Sequence, residues 1–235
     1  MSSTVTDRAG RAPRAIAPAW HTCVLVAIQI LLVAGEMRGS HPAPPPPAVP
    51  FYLGAMAFEA FLFAWVWWGL RLRGHSLAVL VARARPAAPG RDVLAGIAIW
   101  IVWYVAESLL ALALSACGLT NAGAAGTAFP HGTVQSVLWI VLAAISGVSE
   151  ELAFRGYLLR QFSAWTGSTN LGIVLQALLF GLGHFYLGFR QVVLITVSGT
   201  LLGIFAVRLR NLRPIMVTHA WADIFGGLIL RGLPY

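Results

Sequence analysis

Two adjacent carboxylates followed by an arginine are the residues of this chain best suited to do chemistry. Glu150, Glu151 and Arg155 stand at the end of a long segment that is otherwise strongly apolar. Unshielded charges at the centre of a membrane helix cost on the order of 3 kcal/mol each on insertion scales, and less near the helix end. We therefore expect these groups to pair or to face a cavity, where a carboxylate can act as a general base on water.

Helical spacing gives the two glutamates different partners. Glu151 and Arg155 are an i,i+4 pair in the favourable order, so they share one helix face. Glu150 is rotated by about 100° from Glu151 and cannot easily share that partner. We predict a structural ion pair between Glu151 and Arg155, with Glu150 left free to face a cavity. The alternative is the ordinary charged end of a cytoplasmic helix.

Two later apolar segments also carry polar groups at helical spacing. Phe180 and His184 are four residues apart, as are His219 and Asp223. Either histidine alone could be a packing residue or part of an interhelical hydrogen bond. Together with Glu150, the two histidines predict a water-activating site inside a membrane bundle.

Composition requires that membrane helices position these groups. The chain has 235 residues, of which 58% are hydrophobic and only 10% are charged, whereas a soluble domain carries about 25% charged residues. The net charge of +8 comes from arginine alone. The arginines cluster in short loops, so membrane topology explains them and we expect no nucleic-acid partner. Cys23 and Cys117 have no CxxC spacing, which argues against a disulfide framework or a cysteine metal site.

Long apolar segments recur along the whole chain. They predict an all-α polytopic transmembrane bundle of about seven spanning helices. The segments are residues 19–36, 51–71, 93–117, 134–160, 170–189, 191–209 and 213–231. We expect residues 1–17 to be a disordered cytoplasmic tail and residues 18–235 to be one transmembrane domain, with a catalytic core at 134–231.

Three connecting segments carry further expectations. Residues 42–50 are rich in proline and predict a stiff extended linker. Residues 76–85 predict a short helix lying at the membrane interface. Residues 1–36 could be a cleaved signal or a signal anchor, and the anchor is favoured.

Arginine placement predicts the orientation. The N-terminal tail and the 71–91 and 208–213 loops are rich in arginine, which puts the N-terminus in the cytoplasm and the C-terminus outside. We expect the membrane to be a bacterial inner membrane. Threaded as straight spans, Glu150 lies about 6 Å and His184 roughly 21 Å from the cytoplasmic edge. Helix tilt, a fourth helix that overshoots, or a sunken 163–169 connection could bring them together.

Two single carboxylates, Glu59 and Glu107, lie inside the second and third predicted spans. They could face the same cavity, or they could meet hydroxyl and tryptophan partners in the bundle. We favour the structural interpretation for both.

The order of the motifs resembles that of the CPBP family, which includes CAAX-prenyl endopeptidases and bacterial relatives linked to bacteriocin processing or immunity. The family pattern is Glu-Glu-x-x-x-Arg, then Phe-x-x-x-His, then His-x-x-x-Asn/Asp. The resemblance covers roughly residues 134–231. The matching residues are Glu150, Glu151, Arg155, Phe180, His184, His219 and Asp223.

The resemblance implies an intramembrane endopeptidase that cuts a membrane protein or a lipidated peptide in the bilayer. By carry-over, Glu150 and His184 would activate water, and His219 with Asp223 would stabilise the oxyanion. Glu151, Arg155 and Phe180 would support them. The family often has asparagine where this chain has Asp223, and an ionised aspartate cannot donate a hydrogen bond. We therefore expect Asp223 to orient His219.

Two questions stay open at this level. CPBP proteins have been described both as metalloproteases and as glutamate-dependent enzymes that need no metal. Because no His-Glu-x-x-His is present, we expect no cofactor, with zinc as the alternative. The other functional hypothesis is a non-catalytic immunity or scaffold protein of the same family.

Overall fold

The computed structural model describes residues 14–38, 47–81, 88–120 and 129–230. The helices are α1 Ala19–Arg38, α2 Ala48–Arg71, α3 Ala78–Val81, α4 Pro89–Ala116, α5 Gly132–Glu150, α6 Leu159–Thr166, α7 Thr169–Leu182, α8 Phe189–Leu209 and α9 Arg213–Phe225. A π-helical segment, Glu151–Leu158, joins α5 to α6 without a break, and a second one, Gly226–Leu230, continues α9. These ranges contain no β-strand, so the predicted all-α bundle is confirmed.

Five helices in the described ranges are long and apolar enough to cross a membrane. One of them runs through α5, the π segment and α6 as a single 35-residue helix, Gly132–Thr166. Two of the predicted spans are shorter, since α7 has 14 residues and α9 has 13. The polytopic architecture is confirmed, and the number of about seven spans stays a prediction.

Two predicted boundaries differ from the structure. The tail was predicted to reach residue 17, yet the backbone N–H groups of Ile16 and Ala17 donate to Oε1 of Gln161 at 2.7 and 3.3 Å, and both residues are buried. Residues 1–13 lie outside the described ranges, so disorder stays a prediction there. The proline-rich linker is also shorter than predicted, because α2 already begins at Ala48. Pro50 fits the first turn, where a backbone N–H has no partner within the helix.

The short helix predicted at residues 76–85 is present as α3, but it packs against protein. Leu80 is buried, and the N–H of Leu212 donates to the Val81 carbonyl at 2.8 Å. Nη1 of Arg160 also donates to the Val79 carbonyl, at 2.6 Å. Residues 82–87 lie outside the described ranges.

A helical hairpin places Glu150 and His184 at about the same distance from its turn. The helix through α5 and α6 ends at Thr166. The next residue, Gly167, has a φ of 67°, which suits a residue without a side chain, and α7 then returns antiparallel. Glu150 lies sixteen residues before the end of α6, and His184 lies fifteen residues after the start of α7. At about 1.5 Å per residue, each is roughly 23 Å from the turn. The overshooting fourth helix therefore removes the difference in depth.

Helix α9 runs antiparallel to α5 and begins well short of the hairpin turn. A Cβ at Gly156 would lie 3.2 Å from Cδ1 of Leu212, and one at Gly147 would lie 2.8 Å from the backbone N of Ala220. The register therefore places His219 opposite Glu150 and Glu151. The glycine at 147 allows the close approach, because any side chain there would meet the α9 backbone.

Candidate active site

Glu150 is the last residue of α5, immediately before the π-helical segment. All eight residues of that segment are buried. π-Helical turns inside α-helices occur often at functional sites. Its position leaves Glu150 facing inwards, with a side chain that is 15% exposed.

The predicted ion pair between Glu151 and Arg155 is present. Nη1 of Arg155 donates to Oε1 of Glu151 at 2.8 Å, and both side chains are fully buried. The guanidinium also lies over the ring of Phe180, 4.2 Å from its centroid. This cation–π contact connects the pair to α7.

His219 is held by Glu151, a contact that the sequence did not reveal. Its Nδ1 lies 2.7 Å from Oε1 of Glu151. Its Nε2 lies 3.4 Å from Oε2 of Glu150 and 3.7 Å from Oδ2 of Asp223. Glu151 therefore forms the short hydrogen bond to His219, and Asp223 contacts the ring at ion-pair distance but beyond hydrogen-bond distance. The orienting role expected of Asp223 stays a prediction.

His184 lies beyond the helix on which it was predicted. Helix α7 ends at Leu182, and the chain turns before a short 3₁₀ segment, Phe185–Leu187. Nδ1 of His184 lies 2.9 Å from the Phe180 carbonyl. A carbonyl only accepts, so Nδ1 carries the proton and Nε2 is left as an acceptor when the ring is neutral.

Phe180 stands between the two imidazoles. Its ring centroid is 4.9 Å from that of His184 and 6.0 Å from that of His219, with both pairs in edge-to-face geometry. The motifs on three different helices thus come together around one aromatic side chain. Asp223 is more open than Glu150 and His219, with 38% of its side chain exposed against 15% and 11%.

A cavity of about 630 Å³ opens next to these groups. Glu150, His184 and Phe180 line it on one side, and apolar residues of α1 and α2 line the other. Glu59 of α2 is also part of the lining, whereas Glu107 is not; Oγ of Ser198 donates to Glu107 at 3.4 Å. The two carboxylates therefore differ. Glu107 has a hydroxyl partner in the bundle, as the structural interpretation expects, whereas Glu59 faces the cavity.

A protein metal site needs several donor side chains gathered around one point. Across the described ranges, no group of three or more His, Cys, Asp or Glu side chains has a geometry that could hold a metal ion. The cofactor-free chemistry expected from the sequence stays a prediction.

One protein-family model matches the chain. Residues 132–225 match the model described as type II CAAX prenyl endopeptidase Rce1-like. This match supports the assignment of the segment to the CPBP family of CAAX-type proteases. The matched segment is about two fifths of the chain and runs from the start of α5 to the end of α9. No curated protein and no solved structure matches significantly.

The apolar helices and the family match bear on the location of the protein and on its general activity. The protein is an integral membrane protein. The family match supports a CAAX-type intramembrane protease at the level of the family. The orientation of the termini and the bacterial inner membrane stay predictions.

Proposed function

We propose that the protein is an intramembrane endopeptidase that hydrolyses a peptide bond of a membrane-associated or lipidated substrate. The supporting observation is that Glu150 and His184 line one cavity while His219 contacts Glu150 at 3.4 Å. This arrangement supports the proposal because it brings together two candidate general bases, a candidate hydrogen-bond donor for the oxyanion, and a cavity with space for a peptide.

Glu150 and His184 are the proposed water-activating groups. Oε2 of Glu150 is buried and has no hydrogen-bond partner among the described residues, so it is available to a water molecule. Nε2 of His184 is the second acceptor. As the water oxygen adds to the scissile carbonyl carbon, its proton passes to the carboxylate and then to the departing amine.

His219 is the proposed oxyanion donor. Its Nδ1–H donates to Glu151, so Nε2 is the nitrogen that donates to the tetrahedral intermediate when the ring carries both protons. The carboxylates of Glu150, Glu151 and Asp223 surround this imidazole and complement its positive charge. A preorganised donor beside the developing oxyanion supplies a large part of the rate enhancement in acyl transfer.

Comparative proteomics of membrane fractions tests the proposal. Cells that express the wild type, Glu150→Gln or Glu107→Gln are compared, the last being a matched carboxyl outside the cavity lining. We expect one or more precursors to accumulate only with Glu150→Gln. Unchanged processing in that strain would contradict the proposal and favour a non-catalytic immunity or scaffold role.

A further inference from the structure

Three carboxyl groups line the cavity beside the candidate active site. Glu36 of α1 and Glu59 of α2 form part of its wall together with Glu150. Glu150 serves the proposed activation of water, whereas no motif of the sequence accounts for the other two, and both lie outside the segment matched by the protease-family model. Ionisable side chains inside a membrane bundle are costly, and they usually pair or serve a function.

Glu59 is almost completely buried, yet it keeps an unpartnered oxygen. Only 4% of the residue is exposed, and it lines the cavity. Its Oε2 has no hydrogen-bond partner among the described residues, and the same holds for Oε2 of Glu36. A buried polar atom without a partner carries a desolvation cost. A ligand that donates hydrogen bonds in the cavity would remove that cost.

The cavity lining that the structure describes contains no arginine or lysine beside these carboxyls. Arg155 of the π segment is not part of the lining; it donates to Glu151 and lies over the ring of Phe180. His184 and Tyr186 are the other ionisable groups of the wall. Apart from one imidazole, the charge that this wall can carry is therefore negative.

The rest of the wall is mostly apolar and suits the stem of a long side chain. Leu32 of α1 and Phe51, Phe58 and Leu62 of α2 contribute to it. The cavity holds about 630 Å³, which lies within the range of roughly 300–1,000 Å³ for ligand pockets. Lysine and arginine combine an apolar stem with a charged head. Such a side chain could lie along α1 and α2 and bring its head to the carboxyls.

We propose that Glu36 and Glu59 bind a cationic side chain of the substrate, a lysine or an arginine close to the bond that is cut. An ammonium or guanidinium group supplies the donors and the positive charge that the two carboxylates lack. A neutral or acidic residue in the same place would leave them unpaired, and sites of that kind discriminate strongly. The inference rests on the proposed function, because it names the substrate class of the same cavity.

The charge of the whole protein separates this site from general attraction. The net charge is +8, so the overall field repels a cationic peptide. A preference for lysine must therefore come from local groups. Buried charge pairs are screened by salt much less than exposed pairs, so the preference should persist when the salt concentration is raised.

Peptide binding to the purified protein in an uncharged detergent tests the inference without cleavage. The probes are short labelled leucine–alanine peptides with one central lysine or, at the same position, norleucine or glutamate. Norleucine keeps the apolar stem and lacks the charge. Fluorescence anisotropy gives each Kd. We expect the wild type to bind the lysine peptide about 10–100-fold more tightly than the norleucine peptide, as for one charge-assisted hydrogen bond.

Variants show whether the two carboxyls cause this preference. Glu59→Gln and Glu36→Gln should each lower the ratio of the two dissociation constants by about tenfold. Glu107→Gln is the matched control, because that carboxyl is not part of the described lining, and it should keep the wild-type ratio. Ratios cancel differences in how the peptides partition into detergent. A wild-type ratio in Glu59→Gln, or equal binding of all three peptides by the wild type, would overturn the inference.

Glu36→Lys is the second variant if Glu59→Gln fails to fold, since Glu36 is only half-buried and lies near the end of α1. It places a cation beside Glu59. We expect the preference for the lysine peptide to vanish and the glutamate peptide to bind more tightly than it binds the wild type. The wild-type order of affinities in this variant would overturn the inference.

Cleavage distinguishes a failure of this inference from a failure of the proposed function. Precursors that accumulate with Glu150→Gln should carry lysine or arginine close to the cut, and Glu59→Gln should lower kcat/KM for them by about tenfold. Cuts without any such residue would overturn the inference and leave the proposed function intact. If the protein prefers the lysine peptide through Glu59 but Glu150→Gln changes no processing, the cation site stands and the proposed function fails.

Discussion

Nδ1 of His219 lies 2.7 Å from Oε1 of Glu151, although the two residues are 68 positions apart in the chain. The same oxygen accepts the 2.8 Å hydrogen bond from Arg155. One carboxylate therefore completes a buried ion pair and also fixes the tautomer and orientation of an imidazole. Because of this double role, stability and activity should change together at Glu151 and Arg155.

Arg155→Ala should destabilise the protein strongly. The substitution leaves the Glu151 carboxylate fully buried without its cation and removes the contact with the Phe180 ring. Breaking one side of a buried pair costs about 3–5 kcal/mol. The free energy of unfolding in detergent measures the effect, and a loss below about 1 kcal/mol would show that the pair does not hold the fold.

Asp223→Asn should leave most of the activity intact. The short hydrogen bond to His219 comes from Glu151, and Oδ2 of Asp223 is 3.7 Å away. An asparagine can still accept a hydrogen bond and can also donate to the oxyanion. We expect kcat within about tenfold of the wild type, the loss equivalent to one ordinary hydrogen bond. A loss as large as that of Glu150→Gln would mean that the aspartate charge is required.

Gly147→Ala should separate α5 from α9. The added Cβ would lie 2.8 Å from the backbone N of Ala220 and 3.0 Å from the Met216 carbonyl, so one helix must move. Overpacking of this kind costs about 1–3 kcal/mol, and the movement should weaken the contact between His219 and Glu151. We expect lower thermal stability and lower kcat.

The matched control is Gly35→Ala in α1, where an added Cβ meets nothing within 4 Å. That variant should behave like the wild type or be slightly more stable, because alanine favours the helix. Equal effects of the two substitutions would contradict the close-approach explanation.

Local spacing was sufficient to predict part of the site. The i,i+4 relation of Glu151 and Arg155 follows from helix geometry, and the structure contains that pair. The order of the three motifs was sufficient for the family. Neither needed knowledge of how the helices pack, since both depend on residues near each other in sequence or on their order alone.

The remainder depends on packing that no local pattern encodes. The predicted fourth span ends at residue 160, yet the next residue, Gln161, is fully buried and bonds to Ile16, Ala17 and Thr22. The helix therefore continues, and Glu150 reaches the height of His184. The place of Glu59 in the cavity likewise depends on the contact of α2 with α5.

Chelation should not abolish cleavage. In the proposed mechanism Glu150 and the two imidazoles supply the acid–base and oxyanion chemistry, and that chemistry needs no Lewis acid. Purified protein should contain substoichiometric zinc and keep its activity after treatment with a chelator. Stoichiometric zinc whose removal stops turnover, and whose return restores it, would defeat this prediction.

Cleavage by purified protein in ¹⁸O-labelled water tests the central claim most directly. The substrate is a precursor that accumulates with Glu150→Gln, and mass spectrometry measures the label in the new carboxyl terminus. The wild type should incorporate one ¹⁸O atom per cut. Folded Glu150→Gln should be slower by about 10²–10⁴-fold, the contribution of a general base. Cleavage by that variant at the wild-type rate would contradict the role of Glu150.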